Sequence, residues 1–465
     1  MSMKSKNENQ GLDLVTPLVE IIHMTAVMIG KLLILIAKFL WQRYVSKSTP
    51  LEKIEQQRLR VKKTTNAPDT LGIDTKTRRP LNLAEIDFRR HSFIVGATGF
   101  GKTNLISILQ ENSLKNKRPI IFFDPKGDMK ALTEFKSLCE SQGRRCFIFS
   151  ERYPQSIKLN PFKSGTVSQV SDRIMSAFDW TEEHYTMSCH RSLNIVLEKI
   201  EKEGGIFTIK RIYDYLLTIE TKENTGIIGR LENILKSDFG KLLSDDDGLT
   251  LEEIRQQQVC LYIGLSTQGY GRTAIAVGRL FLGELLYNSY DTLGKLDNPE
   301  GGLENPISVF FDEFGSLVTL EFIELQNKCR GAGIELTMAV QTPADIDRVN
   351  PDLTRQIVEN AGNLFILKQR LDTSSSFFSE NIGTITSKKH TYTTEDGEAQ
   401  ARGSVREVNE LIVHPDIIKN LKVGQCVLLR QGPTRVNLVN IRNRNAIPIH
   451  KVNTKIEQPS KAFAN

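Results

Sequence analysis

Gly96-Ala-Thr-Gly-Phe-Gly-Lys-Thr103 follows directly on the apolar run His91-Ser-Phe-Ile-Val95 and precedes an amphipathic segment at 104–112. An apolar run feeding a glycine-rich turn and then a helix is the arrangement of a phosphate-binding loop. Gly96, Gly99 and Gly101 let the chain bend until its N–H groups face inward. Ala97, Thr98 and Phe100 complete the loop. Lys102 is placed to contact the β- and γ-phosphates, and the Thr103 hydroxyl to hold Mg²⁺. The helix beginning near Lys102 adds its positive dipole end to the anion site. The expected ligands are therefore ATP and Mg²⁺.

Working outward, six more apolar runs recur, at 119–123, 146–149, 259–265, 307–311, 334–340 and 363–367. They alternate with helical patterns, which predicts a parallel sheet covered on both faces. In such sheets ligands bind beyond the C-terminal ends of the strands. The run at 119–123 ends in Asp124-Pro-Lys-Gly-Asp128, and Asp124 and Lys126 are assigned to the nucleotide site. The run at 307–311 ends in Asp312-Glu313, the arrangement of a Walker B motif. Asp312 is expected on Mg²⁺ and Glu313 on the attacking water. Gln341 ends the next run, where its amide can sense the γ-phosphate or, alternatively, begin a helix before Thr342-Pro343.

Residues 150–258 separate two of these runs, whereas a crossover between parallel strands needs only about a dozen residues. Segments 167–178, 181–202, 208–219 and 226–243 show helical spacing, so an all-α insertion is expected at 165–250. A hairpin-like pair, 425–430 and 436–441, closes the patterned region. The stretch 384–404, rich in Thr, Lys and Gly, reads as a flexible loop, either a DNA-contacting pore segment or plain surface.

The chain has 465 residues, 25% charged and 39% hydrophobic, with a net charge of +6, an ordinary globular composition. Residues 42–95 hold 12 Lys/Arg against 6 Asp/Glu, so the basic excess follows the most apolar stretch, 21–41. That stretch is about long enough to span a bilayer. Lys31 and Lys38 interrupt it, and with Glu20 and His23 they form one polar stripe around a helix. Three placements fit: spanning with the stripe against other helices, lying in the interface, or buried in a soluble protein. The basic flank favours the cytoplasm for the bulk of the chain. The six cysteines have no metal-ligand spacing and read as reduced thiols.

GATGFGKT, FFDPKGD at 122–128, KLNPF at 158–162, VFFDEFG at 309–315 and CRGAGIELTMAVQTPADI at 329–346 together resemble the TraD/TraG-type conjugative coupling proteins, relatives of FtsK and HerA translocases. The resemblance covers roughly residues 85–440, and Asp-Pro-Lys-Gly-Asp is its sharpest element. It implies a RecA-like α/β P-loop NTPase with a mostly parallel sheet, an inserted all-α subdomain and an N-terminal membrane-associated helix. The expected layout is an anchor helix at 1–45, a basic linker at 46–80, the nucleotide-binding domain at 81–164 and 251–450, the insertion at 165–250 and a tail at 451–465.

The resemblance further implies a homohexameric ring at the inner membrane. Such a ring drives single- or double-stranded DNA, without sequence preference, from relaxase and relaxosome proteins toward a type IV secretion channel. Arg330 is similar to the arginine that reaches a neighbour's ATP, although a cation ending a helix is the alternative. Family anchors commonly hold two spanning helices, and here one segment is a candidate. The rival readings are a DNA pump outside conjugation and a docking platform for secreted protein effectors.

Overall fold

The computed structural model describes residues 15–44, 70–243, 246–295, 305–395 and 398–444. The chain divides into two compact units, Met1–Lys62 and Lys63–Asn465. In the first, Val15–Tyr44 is one helix. Met24, Met28, Leu32, Leu33 and Leu35 on it are exposed. Among the described residues no helix is long and apolar enough to cross a membrane. The spanning placement of 21–41 therefore has no support in the structure, and the two lysines that interrupt the stretch are the physical reason. The expected tail at 451–465 lies outside the described residues, as does the linker up to residue 69.

The second unit is built on eleven strands: β1 (Gly72–Asp74), β2 (Pro80–Leu81), β3 (Ser92–Val95), β4 (Ile120–Asp124), β5 (Cys146–Phe149), β6 (Cys260–Gly264), β7 (Ile307–Phe311), β8 (Ile334–Val340), β9 (Asn363–Ile366), then β12 (Gln425–Arg430) and β13 (Arg435–Ile441). β10 (Thr384–Glu395) and β11 (Glu398–Leu411) form a separate two-stranded ribbon. The main sheet runs β2-β1-β13-β12-β9-β3-β8-β7-β4-β6-β5. From β9 to β5 all pairings are parallel; the strands on the other side pair antiparallel. Every run predicted as a strand is a strand.

The reason is burial on both faces. β3, β4, β6, β7, β8 and β9 are buried along their whole length, and their side chains alternate between two cores. Ile94, Phe122 and Phe310 enter one core with Leu105 and Leu109 of the helix Lys102–Lys115 and Phe135 of the helix Met129–Ser141. Phe93, Phe123, Phe311 and Met338 enter the other with Val277 and Phe281 of the helix Arg272–Lys295.

Two expectations need correction. Residues 72–80, read as linker, hold β1 and the start of β2 and extend the sheet, because β13 offers β1 an antiparallel edge. Residues 384–404 are not a flexible loop but most of a long ribbon in continuous antiparallel register, with one irregularity near Tyr392. Ile385, Thr386, Thr391, Tyr392 and Thr393 there are residues that favour strands, a signal that the polar composition masked.

The insertion is made of helices. Between β5 and β6 stand the helices Val167–Ser176, Glu183–Lys202, Ile209–Thr218, Thr225–Lys236 and Gly240–Leu243. Their buried side chains share one core with the sheet, so they are not a separate body. Phe149 of β5 stacks on Phe239 at 6.2 Å and meets Phe281 edge-on at 5.2 Å. Glu284 is wholly buried beside this junction and accepts from Leu251 N at 2.6 Å. Burial pushes its carboxyl up to about 8 against the pull of Arg173.

Phe149→Ala is expected to cost about 3–5 kcal/mol and to lower the unfolding of helices and sheet together, as one transition in urea. Two separate transitions would disprove the shared core. Glu284 titrates near 4.5 when unfolded. Between there and about 8 the folded chain holds the extra proton, so its contribution falls as pH rises. Glu284→Gln should flatten that part of the stability curve between pH 5 and 8. An unchanged slope would remove Glu284 from the account.

Candidate nucleotide-binding site

Strand order decides the site. β3 carries the glycine loop, β7 carries Asp312-Glu313, and β8, ending at Gln341, lies between them. β4, ending in Asp124, lies beside β7. All four are parallel, so their C-terminal ends meet at one edge.

The loop takes its shape from its glycines. Gly99 and Gly101 have φ of 82° and 103°, a region that side chains oppose. A Cβ on Gly96 would stand 2.6 Å from Leu367 Cβ. Gly101 caps the fourteen-residue helix Lys102–Lys115 without any side-chain bond, which leaves the helix N-terminus to an anion. Lys102 is buried, its Nζ donates to Gly96 O at 2.5 Å, and burial lowers its pKa while Asp312 opposes the shift. Thr103 is exposed one residue further on. Phe100 lies under Lys368, whose Nζ is 5.2 Å from the ring centroid.

The carboxylates are joined to the loop through Gln341. Thr98 Oγ1 donates to Gln341 Oε1 at 2.9 Å, and Gln341 Nε2 donates to Glu313 Oε1 at 3.2 Å. The amide thus faces both motifs. Asp345 fixes it in place by accepting from the N–H groups of Gln341 and Thr342, each at 3.1 Å. Asp312 is buried, burial raises its pKa, and its Oδ1 accepts from Glu313 N at 3.0 Å. Glu313 has φ 46°, a left-handed conformation that costs a non-glycine residue about 1–3 kcal/mol. That bend turns Glu313 toward Gln341 and Lys126.

The Asp124–Asp128 loop splits its expected roles. Asp124 accepts from the N–H groups of Lys126 (2.9 Å) and Asp128 (3.2 Å) and from the Tyr262 hydroxyl. Burial raises its pKa. It therefore shapes the loop. Lys126 is the residue that reaches the site: its Nζ lies 2.7 Å from Glu313 Oε1 and 3.7 Å from Asp312 Oδ2. Arg330 is elsewhere. It is exposed and ends the helix Phe322–Cys329, before β8 begins. Gln341 is at the other end of β8, so Arg330 stands on the opposite edge of the sheet and takes no part in the site of its own chain.

Sequence reading missed the supports: Tyr262 on Asp124, Asp345 on Gln341, and Arg348, whose Nη2 donates to Gly315 O at 2.6 Å behind the acidic pair. It also missed Ser266, which closes against Gly127. Tyr262 and Ser266 are polar groups in and just after an apolar strand, the one signal that marked them.

The donors fit magnesium. Asp312 and Thr103 are hard oxygen groups, and Mg²⁺ in such sites keeps waters and substrate phosphate as its other ligands. Among the described residues no group of three or more His, Cys, Asp or Glu could hold a metal ion, so the protein's share is small.

Two family models match the chain. Residues 306–423 match the TraM recognition site of TraD and TraG, and residues 71–246 match the central domain of helicase HerA. The type 4 coupling protein DotL of Legionella pneumophila is 31% identical over 118 residues, which is 23% of this chain and 15% of DotL. The chain thus matches only a small part of that curated relative. Among solved structures, the conjugative coupling protein TrwBdeltaN70 superposes with a TM-score of 0.63 at 17% identity, covering 84% of this chain and 92% of that one. TrwB has also been solved in complex with ADP and Mg²⁺. VirB4 of Thermoanaerobacter pseudethanolicus superposes at 0.53 and 14% identity, over 81% of this chain and 97% of that one. The chain is similar to type IV coupling proteins in both its matched segments and its fold.

Gly127 tests the architecture. Its φ is 59°, and a Cβ there would meet Ser266 Oγ at 2.3 Å and Ser266 N at 2.9 Å. Gly127→Ala should cost at least about 1–2 kcal/mol from backbone conformation and weaken binding of a fluorescent ATP analogue. Unchanged affinity would detach this loop from the site.

Proposed function

We propose that this TraD/TraG-type chain is an ATPase that couples ATP hydrolysis to DNA transfer into a type IV secretion channel. The observation that carries the proposal is the bridge from Thr98 through Gln341 to Glu313, which links the phosphate loop to the acidic pair. Gly96–Thr103 hold the phosphates, with Lys102 on the β- and γ-groups. Thr103 and Asp312 hold Mg²⁺, which neutralises developing phosphate charge when bound. Glu313 orients the attacking water and Gln341 reports the γ-phosphate.

Arg330 acts in trans. Its exposure away from the site of its own chain supports a role at another subunit's nucleotide in a homohexameric ring. A cation so supplied is a strong lever in phosphoryl transfer. The partners are relaxase and relaxosome proteins, channel proteins and DNA bound through its backbone. The match to the TraM recognition site of TraD and TraG supports the relaxosome contact. The exposed apolar side chains of Val15–Tyr44 support residence on the inner membrane with the ATPase unit in the cytoplasm. The HerA match favours a second reading, a DNA pump outside conjugation, which would need no relaxase.

The test is the ATPase rate of the full chain with and without single-stranded DNA. Stimulation by DNA is expected, weakening steeply with salt. Lys102→Ala should lose about 10²-fold or more. Glu313→Gln should bind ATP yet hydrolyse it about 10²–10⁴-fold more slowly. Hydrolysis indifferent to DNA at every salt concentration would end the translocase reading. Removing residues 1–44 should abolish flotation with anionic vesicles; flotation that survives would place the membrane contact elsewhere.

A further inference from the structure

Lys126 occupies a position that the roles assigned above leave unexplained. Its ammonium faces both carboxylates of the acidic pair, closest to Glu313. Glu313 accepts from Gln341 at the same time, through the same Oε1. A carboxylate so held has one oxygen committed to a cation and an amide, which fixes the direction it faces. The structure therefore shows Glu313 restrained by groups from two neighbouring strands.

Lys126 is built to move while its loop stays fixed. Asp124 and Tyr262 pin the backbone of 124–128, and Thr267 braces it through N and Oγ1, which donate to Pro125 O at 2.7 and 2.9 Å. The Lys126 side chain is 45% exposed, and its flexible four-carbon stem has other rotamers open to it once the ion pair is broken. Burial alone would lower its pKa, but the Glu313 hydrogen bond and the Asp312 and Glu313 charges outweigh that and raise it. It stays a cation.

We propose that Lys126 is a positioning residue that restrains Glu313 until ATP arrives, and that it then transfers its contact to the γ-phosphate. The inference rests on the ATPase reading above and names what switches the site on. A divalent cation on Asp312 would share carboxylates with the Lys126 ammonium, and like charges at such spacing repel. The terminal phosphate is the anion the displaced ammonium can reach from the same loop. ADP lacks that phosphate and offers no such partner. Release of Glu313 is thereby tied to the triphosphate, and Gln341, which touches both Glu313 and the phosphate loop, moves with it.

The experiment measures affinity rather than turnover. Fluorescent ATP and ADP analogues are titrated against the full chain in Mg²⁺, for wild type, Lys126→Met, Lys126→Arg, Glu313→Gln and Lys102→Ala. Wild type should prefer ATP over ADP. Lys126→Met should lower that preference about tenfold, and Lys126→Arg should restore most of it. Glu313→Gln frees Lys126 and should tighten ATP binding several-fold while leaving ADP unchanged. A structural role for Lys126 would move both nucleotides alike, and thermal melting checks that each variant is folded.

An unchanged ATP-to-ADP ratio in Lys126→Met overturns the inference, as does Lys126→Arg behaving like Lys126→Met. If Lys126→Met does not fold, Glu313→Gln decides alone: equal effects on both nucleotides overturn it. Wild type that binds neither nucleotide, or Lys102→Ala that binds both as wild type does, overturns the ATPase reading itself. That outcome is distinct from loss of the Lys126 role.

Discussion

Everything in the site depends on one topological constraint: β8 lies between β3 and β7. Without an intervening strand the glycine loop and the acidic pair would be direct neighbours, with no third element between them. With β8 in place, the residue that ends it is held between the two motifs. Gln341 fills that position, and its amide is suited to it, offering an acceptor to Thr98 and a donor to Glu313 at once. A carboxylate there would repel Glu313, and an aliphatic side chain would leave both partners without this contact.

The constraint holds because the sheet is dry on both faces. Strands buried along their length cannot slide by one residue without exchanging their cores. The register of β3, β7 and β8 is therefore rigid, and the groups at their ends inherit that rigidity. What remains adjustable lies beyond the strand ends. Lys126 reaches in from a pinned loop on a half-exposed side chain, and Glu313 is held in a strained left-handed conformation. The site combines a fixed scaffold with two groups able to change partners. The insertion adds to the scaffold, because its helices pack into the same core as β5 and the helix Arg272–Lys295.

Much of this was legible beforehand. The strands of the parallel half announced themselves as short apolar runs ending in Gly96, Asp124, Asp312 and Gln341, since a strand buried on both faces has no polar side to show. The phosphate loop was legible because its glycines are required by backbone geometry. β1, β2 and the ribbon of β10 and β11 were not, for they are short or polar and take their form from a partner strand rather than from their own composition. The bonds from Asp124 to its own loop were not legible either: an acidic residue at a strand end looks the same whether it faces a ligand or its own loop.

Local chemistry is written in the sequence because it depends on residues a few positions apart. Glycine spacing, helix periodicity, strand length and the acidic pair are all of this kind, and they determined the fold class, the phosphate loop and the identity of the groups in the site. Distances between groups far apart in the chain are not written there, because they depend on which strand lies beside which. Tertiary structure alone decided that Gln341 bridges Thr98 and Glu313, that Lys126 restrains the acidic pair, and that Arg330 faces away from its own site. Strand order in a sheet is settled by the packing of whole faces, and no short run of residues contains it.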